Sequence, residues 1–112
     1  MGLKLDPVER VATRLGVSVR EADKLRLVRI QDAHRIVSEC QASHVLILGI
    51  DVLRGAGGSF QATDLVADYS ALASLEWRDA CAQSATSARA FLARIDPVED
   101  LWVDFTLQER RP

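Results

Sequence analysis

His44-Val45-Leu46-Ile47-Leu48-Gly49-Ile50-Asp51-Val52-Leu53-Arg54, followed by Gly55-Ala56-Gly57-Gly58-Ser59-Phe60, is the stretch on which the fold turns. Its aliphatic run, with recurring β-branched residues, reads as a strand buried on at least one face and entering a glycine turn. One acid, Asp51, sits inside that run. A carboxylate in an apolar strand faces solvent, finds a partner or marks a site.

Beyond the turn, Phe60 to Thr63 reads as a short return strand, and Asp64 to Leu72 as a loop carrying Asp64, Asp68 and Tyr69. A long helix follows, with Ser74 as candidate cap and Glu76 adding negative charge in the first turn. Trp77, Cys81, Ser84/Ala85, Ala88, Phe91/Leu92 and Ile95 step by three or four, which makes one continuous inner face. Its alanines and serines suit close packing on a sheet. Asp96-Pro97 stops it, because a residue before proline avoids helical angles. Leu101, Val103, Phe105 and Leu107 then alternate with Trp102, Asp104 and Thr106, the pattern of a strand with one buried face.

On the N-terminal side, Asp6-Pro7-Val8-Glu9 has the cap, first-turn proline and capping acid of a helix start. Val8, Val11, Ala12 and Leu15 form its stripe, and Gly16 stops it. Ser18 to Glu21 repeats the capping signature and predicts a second helical turn near Val19. Leu25 to Ile30 settles on no period, and a further helix covers Gln31 to Gln41. The expected fold is α+β: a small antiparallel or mixed sheet of three to four strands, packed by helices on one face. One domain spans 1–112, with a helical part over 1–42 and a strand-hairpin-helix-strand core over 43–112.

The 112 residues hold 14 basic and 16 acidic side chains, a net charge of −2. That balance argues against a nucleic-acid partner, which a basic patch normally announces. The opening MGLKLDPVER has no apolar signal core, and Val45 to Ile50 is too short to span a bilayer, so the expectation is a cytoplasmic protein with no membrane partner. Cys40 and Cys81 form no CxxC pair and fall on apolar helix faces, where a thiol packs as a small hydrophobe.

Catalysis has little to work with. His34 and His44 belong to no HExxH or other metal-ligand pattern, and Gly55-Ala56-Gly57-Gly58 lacks the Lys-Ser/Thr of a phosphate loop. No GxSxG elbow is present. The expectation is no catalytic residue, no metal and no cofactor. Residues 7–28 support an alternative: Arg10 to Ser18, then Ala22 and Leu25, have the spacing of a helix-turn-helix. A DNA-binding regulator of that kind would use Arg20, Lys24, Arg26 and Arg29, although Glu21 and Asp23 interrupt them.

From about Leu25 onward the chain resembles the immunity protein 40 family of bacterial polymorphic toxin systems. The resemblance is carried by Asp32-Ala33 opening a helix, by Ile47-Leu48-Gly49-Ile50-Asp51-Val52 entering the Gly58-Ser59-Phe60 turn, by Trp77, Ser84, Ala88 and Phe91-Leu92 along a helix, and by the terminal strand. Ile50 stands where the family has a second glycine, and the family's aromatic-rich loop is reduced to Tyr69. The resemblance implies a non-enzymatic protein that binds a cognate toxin effector domain and blocks it by occlusion. An acidic surface would steer the encounter with a basic cleft, and an aromatic anchor would prolong it. On that reading the partner-binding candidates are Asp51, Asp64 and Asp68 for the field, with Tyr69 and Trp102 as anchors. An exposed sheet edge also leaves room for a homodimer.

Overall fold

Capping decides where the first helix begins. Asp6 accepts the Val8 N–H at 2.9 Å, and helix α1 (Pro7–Leu15) ends at Gly16, with the Val17 N–H returning to the Ala12 carbonyl. A computed structural model describes residues 6–97 and 100–110. The elements after α1 are β1 (Arg20–Ala22), β2 (Leu25–Arg29), a 3-10 turn (Ile30–Asp32), α2 (Ala33–Ala42), β3 (Val45–Ala56), β4 (Ser59–Asp68), a 3-10 turn (Ser70–Ser74), α3 (Trp77–Ala93) and β5 (Leu101–Glu109). The five strands form one antiparallel sheet in the order β1-β2-β5-β3-β4. The architecture is therefore α+β, with one or two strands more than expected.

The β1–β2 hairpin corrects the N-terminal reading. Where a second helical turn was expected near Val19, the chain is extended, and it reverses through Asp23 and Lys24 at φ 48° and 68°. Two consecutive residues with positive φ make a two-residue hairpin turn, usually signalled by Asn-Gly or Asp-Gly. Lysine in the second position hides that signal. Nothing over 19–28 is helical, so the recognition helix that a helix-turn-helix needs is absent there. The first 42 residues are likewise not wholly helical. Of the opening MGLKLDPVER, residues 1–5 lie outside the described residues.

The sheet has two unlike faces. On one, α1, α2 and α3 cover a core that includes Val11, Val28, Ile36, Val37, Ile50, Val52, Val103 and Phe105. Alternation along β5 sends Leu101, Val103, Phe105 and Leu107 into this core. Two charged clips tie helix to sheet: Arg26 of β2 to Glu9 of α1 at 2.6 Å, and Arg10 of α1 to Glu109 of β5. Ser84 on α3 is fully buried; its hydroxyl accepts the Ile47 N–H at 3.2 Å and donates to the Cys81 carbonyl at 3.0 Å. Ala80, Ala85 and Ala88 are each 0% exposed, so α3 approaches β3 as closely as its small residues anticipate.

Among the described residues, no helix packs over the middle of the other face. It carries a smaller cluster of Leu27, Leu53 and Trp102, flanked by Ala22, Leu25 and Phe60. The ring of Phe60 meets Trp102 edge-on at 5.5 Å, and the guanidinium groups of Arg20 and Arg29 lie over the indole at 5.8 and 4.9 Å. Such stacking covers the indole without a helix, the guanidinium groups lying over the ring while the arginines stay exposed.

The central hairpin forms as its glycines demand. Gly57 and Gly58, at φ 57° and 88°, make the two-residue turn between β3 and β4. Glycine at 55 has a different reason: a Cβ there would come within 2.2 Å of the Asp100 carboxylate, which accepts the Trp102 indole N–H at 2.9 Å. The return strand is longer than Phe60 to Thr63, and the segment expected to be a loop continues it to Asp68. Helix α3 starts at Trp77 and is capped by Glu76, which accepts from the Arg78 and Asp79 N–H groups; Ser74 instead donates to the Ala71 carbonyl within the 3-10 turn.

Candidate functional site

β4 is the long edge of the sheet. Among the described residues no strand pairs with its outer side. Three residues of β4, Thr63 to Leu65, stand opposite the single residue Val52, because the register runs from Asp51↔Val66 to Leu53↔Ala62. This bulge is held from inside. The Thr63 hydroxyl donates to the Val52 carbonyl at 2.6 Å and accepts the Leu65 N–H at 3.1 Å. Bulges at sheet edges bend the strand and re-aim side chains, and they discourage indiscriminate edge pairing.

Two large apolar side chains are left in water beside the bulge, Leu65 at 37% and Val66 at 57% exposure. Acids surround them. Asp64 lies within the bulge and is exposed, and Asp51 is directly across the ladder from Val66. Asp68 lies two positions beyond Val66 on the same strand, hence on the same face. Its carboxylate is held below the usual range by the Ser70 hydroxyl and by the Ser70 N–H at 2.9 Å, so it stays charged.

The sequence reading missed Asp104. On β5 it pairs directly with Asp51 of β3, and the two carboxylates share the helix-free face. Burial, then the neighbouring Asp51, then Asp6 push its carboxyl up to about 6. Leu25, Leu53, Ala62, Thr63 and Val66 complete a shallow depression of about 220 Å³ around this pair. The β5 alternation already placed Asp104 opposite the core; only the cross-strand register could reveal what it faces.

The five expected contact residues therefore separate. Asp51 and Asp68 share the face of Val66, and Asp64 lies in the bulge two residues before it. Tyr69 turns away and packs against the helix-side core; its N–H donates to the Leu48 carbonyl at 2.7 Å and burial raises its phenol. Trp102 does lie on the helix-free face, but it is only 6% exposed beneath Phe60 and the two arginines. The exposed apolar groups near the acids are Leu65 and Val66, which sequence patterning does not single out because the bulge destroys the alternation.

Among the described residues, no group of three or more His, Cys, Asp or Glu side chains converges as a metal site. Cys40 and Cys81 are buried free thiols; burial pushes Cys40 up to about 12 and raises Cys81, so neither is a ready nucleophile. No described helix is long and apolar enough to cross a membrane. No family model matches the chain, and no curated protein or solved structure matches it significantly.

Proposed function

We propose that this chain is a binding protein that neutralises a cognate bacterial toxin domain by covering that domain's active site, without chemistry of its own. The observation that carries the reading is the β4 edge: a ten-residue strand whose outer side pairs with no described strand, with Leu65 and Val66 exposed close to Asp51, Asp64 and Asp68. An apolar centre with a charged rim is how protein interfaces are built, and this rim fits a basic surface of the kind that binds nucleic acid. The sequence resemblance to immunity proteins supports the same role. On this reading Leu65 and Val66 are the contact core, in place of the aromatic anchors Tyr69 and Trp102, and the helix-covered core keeps the strand rigid.

The test pairs this chain with the toxin domain encoded beside its gene. Co-expression rescues growth, and the purified proteins form a complex. Asp64→Lys together with Asp68→Lys slows association at least tenfold while the melting curve stays that of the parent. Failure to rescue, or unchanged association in the double variant, overturns the assignment or removes this edge from it, respectively.

A further inference from the structure

At the far end of β3 lies a cleft of about 300 Å³ that the acidic edge does not explain. Its wall is drawn from four places in the chain. Arg14 comes from the last turn of α1, His44 from the junction of α2 and β3, Trp77 and Arg78 from the first turn of α3, and Arg110 from just beyond β5. The nearby carboxylates are already engaged. Glu109, which also lines the cleft, is clamped by Arg10. Glu39 takes Arg14 at 3.4 Å and the Ser43 hydroxyl. Glu76 spends its side chain on the first N–H groups of α3.

Arg78 and Arg110 are thereby left without an ion-pair partner among the described residues, in a chain whose net charge is −2. Two guanidinium groups on one small cleft repel each other unless an anion sits between them, and their forked donors match the oxygens of a phosphate. The Trp77 indole N–H donates to the His44 carbonyl at 2.9 Å, which pins the ring as one wall beside the arginines. The volume is at the lower end for a small-molecule site.

We propose that this cleft binds the phosphate group of a small phosphate monoester, with Arg78 and Arg110 as its principal ligands, Arg14 adding charge, and the Trp77 ring flanking the organic part. The amides of α3 take no part, because Glu76 already occupies them. The site is independent of the toxin-binding reading and lies on different residues.

Isothermal titration of the whole chain, at fixed ionic strength in sodium chloride, tests it with two probes: inorganic phosphate and adenosine monophosphate. The expected result is saturable binding that each of Arg78→Gln and Arg110→Gln weakens about tenfold, the scale of one charge-assisted hydrogen bond. Both side chains are exposed, so the variants keep the parent's melting temperature. Equal binding of the two probes means that the phosphate alone is read, whereas tighter binding of the nucleotide assigns the difference to Trp77; either outcome supports the site. No saturable binding of either probe, or a double Arg78→Gln/Arg110→Gln variant that binds like the parent, overturns the proposal. Asp64→Lys/Asp68→Lys leaves phosphate binding unchanged.

Discussion

At the scale of single residues, Asp104 is where composition says least and geometry says most. Burial, and then the facing Asp51, push its carboxyl in the folded protein up to about 6, from the ordinary aspartate value of about 4. Between those values the folded chain holds a proton that the unfolded chain has released. Stability therefore falls as pH rises from about 4 to 6, and the full penalty is present above that range. Asp104→Asn is expected to stabilise the protein at pH 7 by roughly 1 kcal/mol, a figure discounted for the solvated half of the group. Melting curves of parent and variant at pH 7 and pH 4 check this; an equal difference at both pH values contradicts it. Ser84 is the opposite case, a buried polar group with every bond made. Ser84→Ala strands the Ile47 N–H and costs about 1–3 kcal/mol, readable by urea denaturation. Ser84 was legible as part of a helix face, but its acceptor role at Ile47 depends on the meeting of α3 and β3.

At the scale of elements, α3 and β5 were the most legible because each keeps one period along its length. Ala88 tests the α3 packing directly. It is fully buried, so Ala88→Leu forces extra methylenes into a filled interface and lowers stability by about 1–3 kcal/mol; an unchanged denaturation midpoint would place the helix further from the sheet. β4 was read only over its first residues, for a physical reason. It is an edge strand, mostly exposed on both faces, and its bulge places three residues against one. Neither alternation nor apolar enrichment survives that arrangement. The β1–β2 hairpin was missed for another reason: Ser18 to Glu21 is a sound local helix start, and pairing of Leu27 with Asp104 and Val28 with Val103 on β5 outweighs it. Local propensity lost to a ladder whose partner lies far along the chain.

At the scale of the whole molecule, the helix-free face is electrically divided. Arg20 and Arg29 stack on Trp102 at one end, while Asp51, Asp104 and Asp68 occupy the other with Val66 among them. A net charge of −2 averages this away. The division predicts how a basic partner associates. Raising the salt from about 0.05 to 0.5 M shortens the Debye length several-fold, so the association rate drops steeply while the dissociation rate changes little. Stopped-flow measurements over that range check it; a salt-independent association rate argues that Leu65 and Val66 act without the acids. Three of the proposed contact acids could be named from the chain alone, since an acid in an apolar strand and two acids after it stand out. Their neighbours could not be named.

The sequence by itself determined which segments bury one side, namely the His44–Arg54 strand, the alanine-lined α3 and the alternating β5, and it placed a glycine turn within 55–58. These are short-range properties, set by side-chain period and backbone freedom within a few residues. Only the tertiary structure decided that residues 20–29 form strands, that Asp51 meets Asp104, that Trp102 is roofed by arginines, and that Arg14, Arg78 and Arg110 share a cleft. Each of these joins residues distant along the chain, through strand register and helix docking, and no local pattern encodes such meetings.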